Sequence, residues 1–147
     1  MTWQTGPARS SPGSAGPDRL HVTDMASPVH LTFLGGLGEI GRNCAALEVE
    51  GRIVVLDCGQ LFPDDLPGVD AVLPDFTWLV ERADRIEACV ITHAHEDHIG
   101  GLPYLLPTLA AEGASMPIYG SPFTLGMVRG KLKGEKLPVP DLVELGD

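Results

Sequence analysis

The chain has 147 residues, 44% of them hydrophobic, which is room for one ordinary domain with a packed core. A formal net charge of −10 excludes a surface that is basic throughout, and with it the nonspecific capture of nucleic acid by the whole domain. No apolar run is long enough to span a bilayer, and the opening "MTWQTGPARSSPG" lacks the basic-then-apolar layout of a secretory signal, so a soluble cytoplasmic protein without a membrane partner is expected.

Residues 1–28 are rich in Ser, Gly and Pro and carry no periodic apolar pattern, which predicts a disordered tail ahead of a folded unit over 29–147. His21 and His30 match no motif and are read as incidental. From Val29 the pattern turns to strands: "VHLTFLG", "CAALEVE" and "RIVVLDCG", the last two joined at Glu50-Gly51 in a way that suits a tight hairpin. "DFTWLVERAD" has Phe76, Leu79, Val80 and Ala83 at helical spacing. "EACVITH" is a short continuous apolar run, the pattern of a strand buried on both faces. "LPYLLPTLAAEG" and "SPFTLGMVRGKL" begin near prolines and end near glycines, as helices do, and "MPIYG" reads as a further short strand. A meander followed by strands alternating with helices predicts an α/β sheet covered by helices on at least one face.

Cys44, Cys58 and Cys89 are an odd number without CxxC spacing, each in an apolar run, and read as buried reduced thiols. The run "RGKLKGEK" gathers Arg129, Lys131, Lys133 and Lys136 and fits either a solvated helix end or a patch that contacts phosphate. "GGLGEIGRN" fits either a glycine-rich turn between strands or backbone N–H groups turned towards a phosphate. Arg42 in it is either a phosphate contact or a surface charge.

Three of the five histidines stand within "THAHEDH", residues 92–98, directly after a buried strand and before a helical stretch. Imidazole nitrogens with a carboxylate are the donors expected for zinc or a similar divalent ion. Residues two apart in a loop can point the same way, so His93 and His95 can share one metal, while Asp97 and His98 in the first turn of the next helix would reach a second. Two such ions can clamp a hydroxide between them. Gly100 and Gly101 would let the backbone pass close to the metal, and Glu96 would face solvent.

HxHxDH after a strand resembles the second motif of the metallo-β-lactamase superfamily, and "LDCG" at 56–59 its first. "FLGGLGEIGRNC", "LDCGQLFPDDLPGVDAVLPDFTWL" and "LPYLLP...PIYGSPFTLGMVRGKL" together resemble the ribonuclease J family, the bacterial β-CASP branch of that superfamily, from about Val29 onward. The resemblance implies the N-terminal portion of an αββα sandwich. It implies a zinc-dependent hydrolase of RNA phosphodiesters with 5′-to-3′ exonuclease and endonuclease activity and a role in rRNA processing. It also implies two Zn2+ ions per complete site, with Mn2+ or Mg2+ as alternatives, an RNA substrate, and homo-oligomers among full-length members. By the same resemblance His93, His95, Asp97 and His98 are metal ligands, Asp97 and His98 act in catalysis, and Asp57 supports the ligand loop without binding metal. A plain turn carboxylate is the other reading of Asp57. Members of the family continue into further ligands, a β-CASP domain and a C-terminal domain, so this chain is expected to be a truncated domain with little activity alone. The alternatives are another hydrolase of the same fold, such as a thioesterase, and a non-catalytic remnant.

Overall fold

The computed structural model describes residues 27–63 and 67–146. The expected tail falls outside these residues except for Ser27 and Pro28, and His21 falls outside as well. The described residues build one six-stranded sheet in the order β1-β2-β3-β4-β5-β6, with β1 at Val29–Gly35, β2 at Cys44–Val49, β3 at Arg52–Leu56, β4 at Ile86–Val90, β5 at Ile118–Gly120 and β6 at Leu142–Glu144. The first three strands run antiparallel and the last four parallel. The β2–β3 turn is the expected tight hairpin: Val49 pairs with Arg52, and both Glu50 (φ 50°) and Gly51 (φ 79°) take the left-handed backbone that a two-residue hairpin turn needs.

Among the described residues, four α-helices connect and cover the strands: α1 at Thr77–Val80, α2 at Glu96–Ile99, α3 at Leu102–Ala111 and α4 at Pro122–Gly134. Crossovers between parallel strands are almost always right-handed, and here they advance in one direction across the sheet, so they place their helices on the same face. The burial pattern agrees. Ala46, Val55, Cys89 and Ile118 lie side by side in register, and all four are fully buried with Leu102, Leu105 and Leu109 of α3 and Leu125, Val128 and Leu132 of α4. On the opposite face Leu31 pairs with Leu47 and Leu47 with Val54, and there Val29, Leu31 and Phe33 are exposed.

Four elements differ from the sequence reading, among them the strand expected over 87–93, which ends at Val90. The helix expected over 75–84 is only α1 followed by a 3-10 turn at Ala83–Arg85, because Arg82 leaves the helical region (φ −127°, ψ 25°) and its N–H reaches back to Leu79 O. The strand expected to run through Gly59 stops at Leu56, since Asp57 has φ 58° and cannot continue the pleat. Strand β6 has no counterpart in the sequence reading.

Among the described residues no helix is long and apolar enough to cross a membrane. The three cysteines are free and buried as expected, and burial pushes the Cys58 and Cys89 thiols well above their ordinary range, which keeps them protonated and poor nucleophiles.

Candidate metal centre

Asp57 follows β3 and Thr92 follows β4, so both stand at the carboxyl ends of adjacent parallel strands, where open α/β sheets place their ligands. The Asp57 N–H bonds Val90 O at 3.0 Å, which fixes the turn, and its side chain is buried beneath the histidine loop. The carboxylate is filled from three directions. Oδ1 accepts the Thr92 N–H at 2.8 Å, both oxygens lie within 3.0 Å of Thr92 Oγ1, and Oδ2 lies 2.8 Å from His98 Nδ1.

An ionised carboxylate only accepts, so His98 donates from Nδ1 and keeps its Nε2 lone pair for another partner. The same logic passes to His93. Thr92 Oγ1 donates to Asp57 and can then only accept from His93 Nδ1, 3.0 Å away, which leaves the Nε2 of His93 free as well. One buried carboxylate therefore sets the tautomer of two histidines, the arrangement by which outer groups orient metal-binding imidazoles.

The backbone holds the loop as tightly. Helix α2 offers its carbonyls sideways: the N–H groups of Asn43, Cys58 and Gln60 bond the oxygens of Asp97, His98 and Glu96 at 3.0, 2.7 and 3.1 Å. Such pairing requires direct contact between main chains. A Cβ on Gly59 would fall 1.6 Å from Asp97 O, so only glycine fits there. A Cβ on Gly100 would fall 2.3 Å from the Gln60 side chain and 2.5 Å from Glu96 O, so this glycine also lets α2 pack against the β3 turn.

His93, Asp97 and His98 each present one ligand atom, and these atoms all lie within 4.8 Å of one another. His98 Nε2 and Asp97 Oδ2 are 3.3 Å apart. Two ligands held about 2.0–2.1 Å from a tetrahedral zinc are separated by about 3.3 Å, so this pair fits a shared cation. The His95 ring stands outside that trio but meets His93 edge-on, with centroids 4.7 Å apart. The sequence paired His93 with His95 and Asp97 with His98; the structure brings His93 against His98, at 3.9 Å between centroids.

Other residues take partners within the protein. Arg42 forks onto both oxygens of Glu39 and reaches Leu73 O at 3.3 Å, and Glu39 holds its guanidinium pKa above the ordinary value. Glu96 is exposed, as expected, and from the surface accepts from Lys131 Nζ at 2.7 Å and Gln60 Nε2 at 3.2 Å, tying α2 to α4. Lys131 and Lys133 lie in the last turn of α4, where cations complement the helix dipole. An apolar groove of about 390 Å³ between Leu106, Met116 and Val139 includes none of the loop histidines.

The family model of the metallo-beta-lactamase superfamily matches residues 37–146. The chain belongs to that superfamily. Within it the similarity is to ribonuclease J: 50% identity to ribonuclease J 1 of Streptococcus pyogenes over 77% of this chain and 20% of the relative, and 47% to ribonuclease J of Mycolicibacterium smegmatis over 81% of this chain and 21% of the relative. The chain thus spans about a fifth of the length of these curated relatives. Among solved structures, human tRNase Z, short form, is 26% identical with a TM-score of 0.51, over 78% of this chain and 42% of that one.

Proposed function

We propose that this chain carries the metal-binding loop of a ribonuclease that hydrolyses RNA phosphodiesters with zinc, or with manganese or magnesium in its place. The observation that carries the reading is the convergence of His93, Asp97 and His98 above a buried Asp57 that fixes the histidine tautomers. The donors suit the group: two imidazole nitrogens with free lone pairs and one carboxylate oxygen form a mixed N/O set at the spacing a small divalent ion needs. A divalent ion bound there would supply a nucleophile from water at neutral pH and neutralise charge on the phosphate.

The chain's own part is to hold the donors still. Asp57 and Thr92 orient His98 and His93, while the β3 turn grips α2 and with it Asp97. His95, exposed beside His93, is a further ligand within reach of a second ion. The ribonuclease J similarity favours RNA over other substrates of the superfamily. On this reading cleavage is both 5′-to-3′ exonucleolytic and endonucleolytic, and takes place in the cytoplasm by a homo-oligomer. Arg42 contributes by holding the β1–β2 loop, and a direct phosphate contact would first require Glu39 to release it.

The test uses the protein that bears this segment, with an end-labelled RNA oligonucleotide and a thioester assayed in parallel under added zinc or manganese. RNA cleavage that disappears in Asp97→Ala is the expected result. Thioester hydrolysis without RNA cleavage would replace the ribonuclease reading with a thioesterase one.

A further inference from the structure

Asn43 stands 54 residues before Asp97 in the chain and touches two of the three clustered metal donors. Its Nδ2 lies 3.1 Å from Asp97 O, 3.1 Å from Asp97 Oδ2 and 3.2 Å from His98 Nε2. Both oxygens are acceptors, so the amide must present its nitrogen to them. The Asn43 backbone leaves this side chain little freedom, because its N–H bonds Asp97 O at 3.0 Å and its C=O accepts the Gly59 N–H at 2.9 Å. Behind the amide, Oδ1 faces Gly36, where a Cβ would come within 2.7 Å of it.

We propose that Asn43 is a positioning residue of the metal centre: its side-chain amide holds the Asp97 carboxylate so that Oδ2 and His98 Nε2 face the same divalent cation. The proposal rests on the metal reading given above. The amide suits this work better than the alternatives. A lysine would bring a positive charge to the edge of a cation site, an aspartate would have no hydrogen to give, and an alanine would leave Oδ2 free to rotate away. The amide has two hydrogens for three acceptors. Once a cation takes His98 Nε2, both remain for Asp97, one on its backbone oxygen and one on Oδ2. Substituting the side chain leaves the main-chain bonds to Asp97 O and Gly59 in place, so its effect can be read apart from the fold.

The test is zinc titration of the protein that bears this segment by calorimetry against a competing chelator, with the cobalt(II) visible spectrum as a second readout, on wild type, Asn43→Ala and Asp97→Ala. Loss of an outer partner of a metal ligand weakens binding about 10- to 100-fold, and that is the expected loss for Asn43→Ala, with a cobalt spectrum altered in band shape. Should Asn43→Ala fail to fold, Asn43→Ser, whose hydroxyl is too short to reach Oδ2, is expected to show the same loss. Affinity within about twofold of wild type and an unchanged cobalt spectrum in the Asn43 variant, alongside binding abolished in Asp97→Ala, would overturn the role of Asn43 alone. Uptake of neither ion by the wild-type protein that bears this segment would overturn the metal reading itself and this inference with it.

Discussion

The two ends of the histidine loop are held very differently. At the far end the His98 side chain is 17% exposed, bonded at Nδ1 to Asp57, approached at Nε2 by Asn43, and carried on a helix whose carbonyls are gripped by the β3 turn. At the near end His93 and His95 are exposed, and the only side-chain hydrogen-bond partner of either, among the described residues, is Thr92 on His93. The difference separates a fixed base from an adjustable rim. Donors that are locked before the ion arrives lose little freedom on binding it, whereas exposed ones must be ordered by the ion. Substitutions at the far end should therefore unsettle both fold and metal affinity, and those at the near end metal affinity alone.

The strongest way to break that contrast is Gly59→Ala. The new methyl meets main chain at Asp97, which cannot be swung aside like a side chain, so the β3 turn and α2 must part. A loss of about 3 kcal/mol or more in urea denaturation is expected, with zinc binding lost as well. Next is Asp57→Ala. It leaves the Thr92 N–H and His98 Nδ1–H without their acceptor and should lower stability by about 2–3 kcal/mol and zinc affinity by about 10- to 100-fold. Stability unchanged in Asp57→Ala would mean that the far end is not anchored as described.

His95→Ala sharpens the contrast from the other side. The ring is exposed and, among the described residues, has no hydrogen-bond partner, so the melt should stay within about 0.5 kcal/mol of wild type while zinc binding weakens. If its zinc affinity matched wild type, His95 would not be a ligand. The smallest effect is expected at Lys131→Ala. The ion pair with Glu96 joins α2 to α4 at the surface, so its loss should cost less than about 1 kcal/mol, leave zinc affinity alone, and shrink further in high salt.

Much of this is legible in the sequence, and most of what is not depends on partners far away in the chain. The strands, the Glu50-Gly51 hairpin and helices α3 and α4 follow from local apolar spacing and turn residues, which a window of ten residues contains. The HxHxDH cluster is also local. Strand β6 is only "LVE", and what makes it a strand is parallel pairing with β5 across the α4 crossover. Helix α1 ends early because Arg82 leaves helical backbone, which apolar spacing cannot report. Asn43, Thr92 and the Glu96–Lys131 pair draw their roles from partners 54, 35 and 35 residues away, and nothing beside them in the chain announces those partners. Asp57 is the exception, since the resemblance of "LDCG" ties it to the distant histidine loop.

The most direct test of the account is anomalous diffraction at the zinc edge from crystals of the chain grown with zinc. A peak bounded by His98 Nε2, Asp97 Oδ2 and His93, with His98 Nδ1 still on Asp57, is the predicted result. Full zinc occupancy at some other group of residues, or an ordered His93–Asp97–His98 cluster with no peak at saturating zinc, would contradict it.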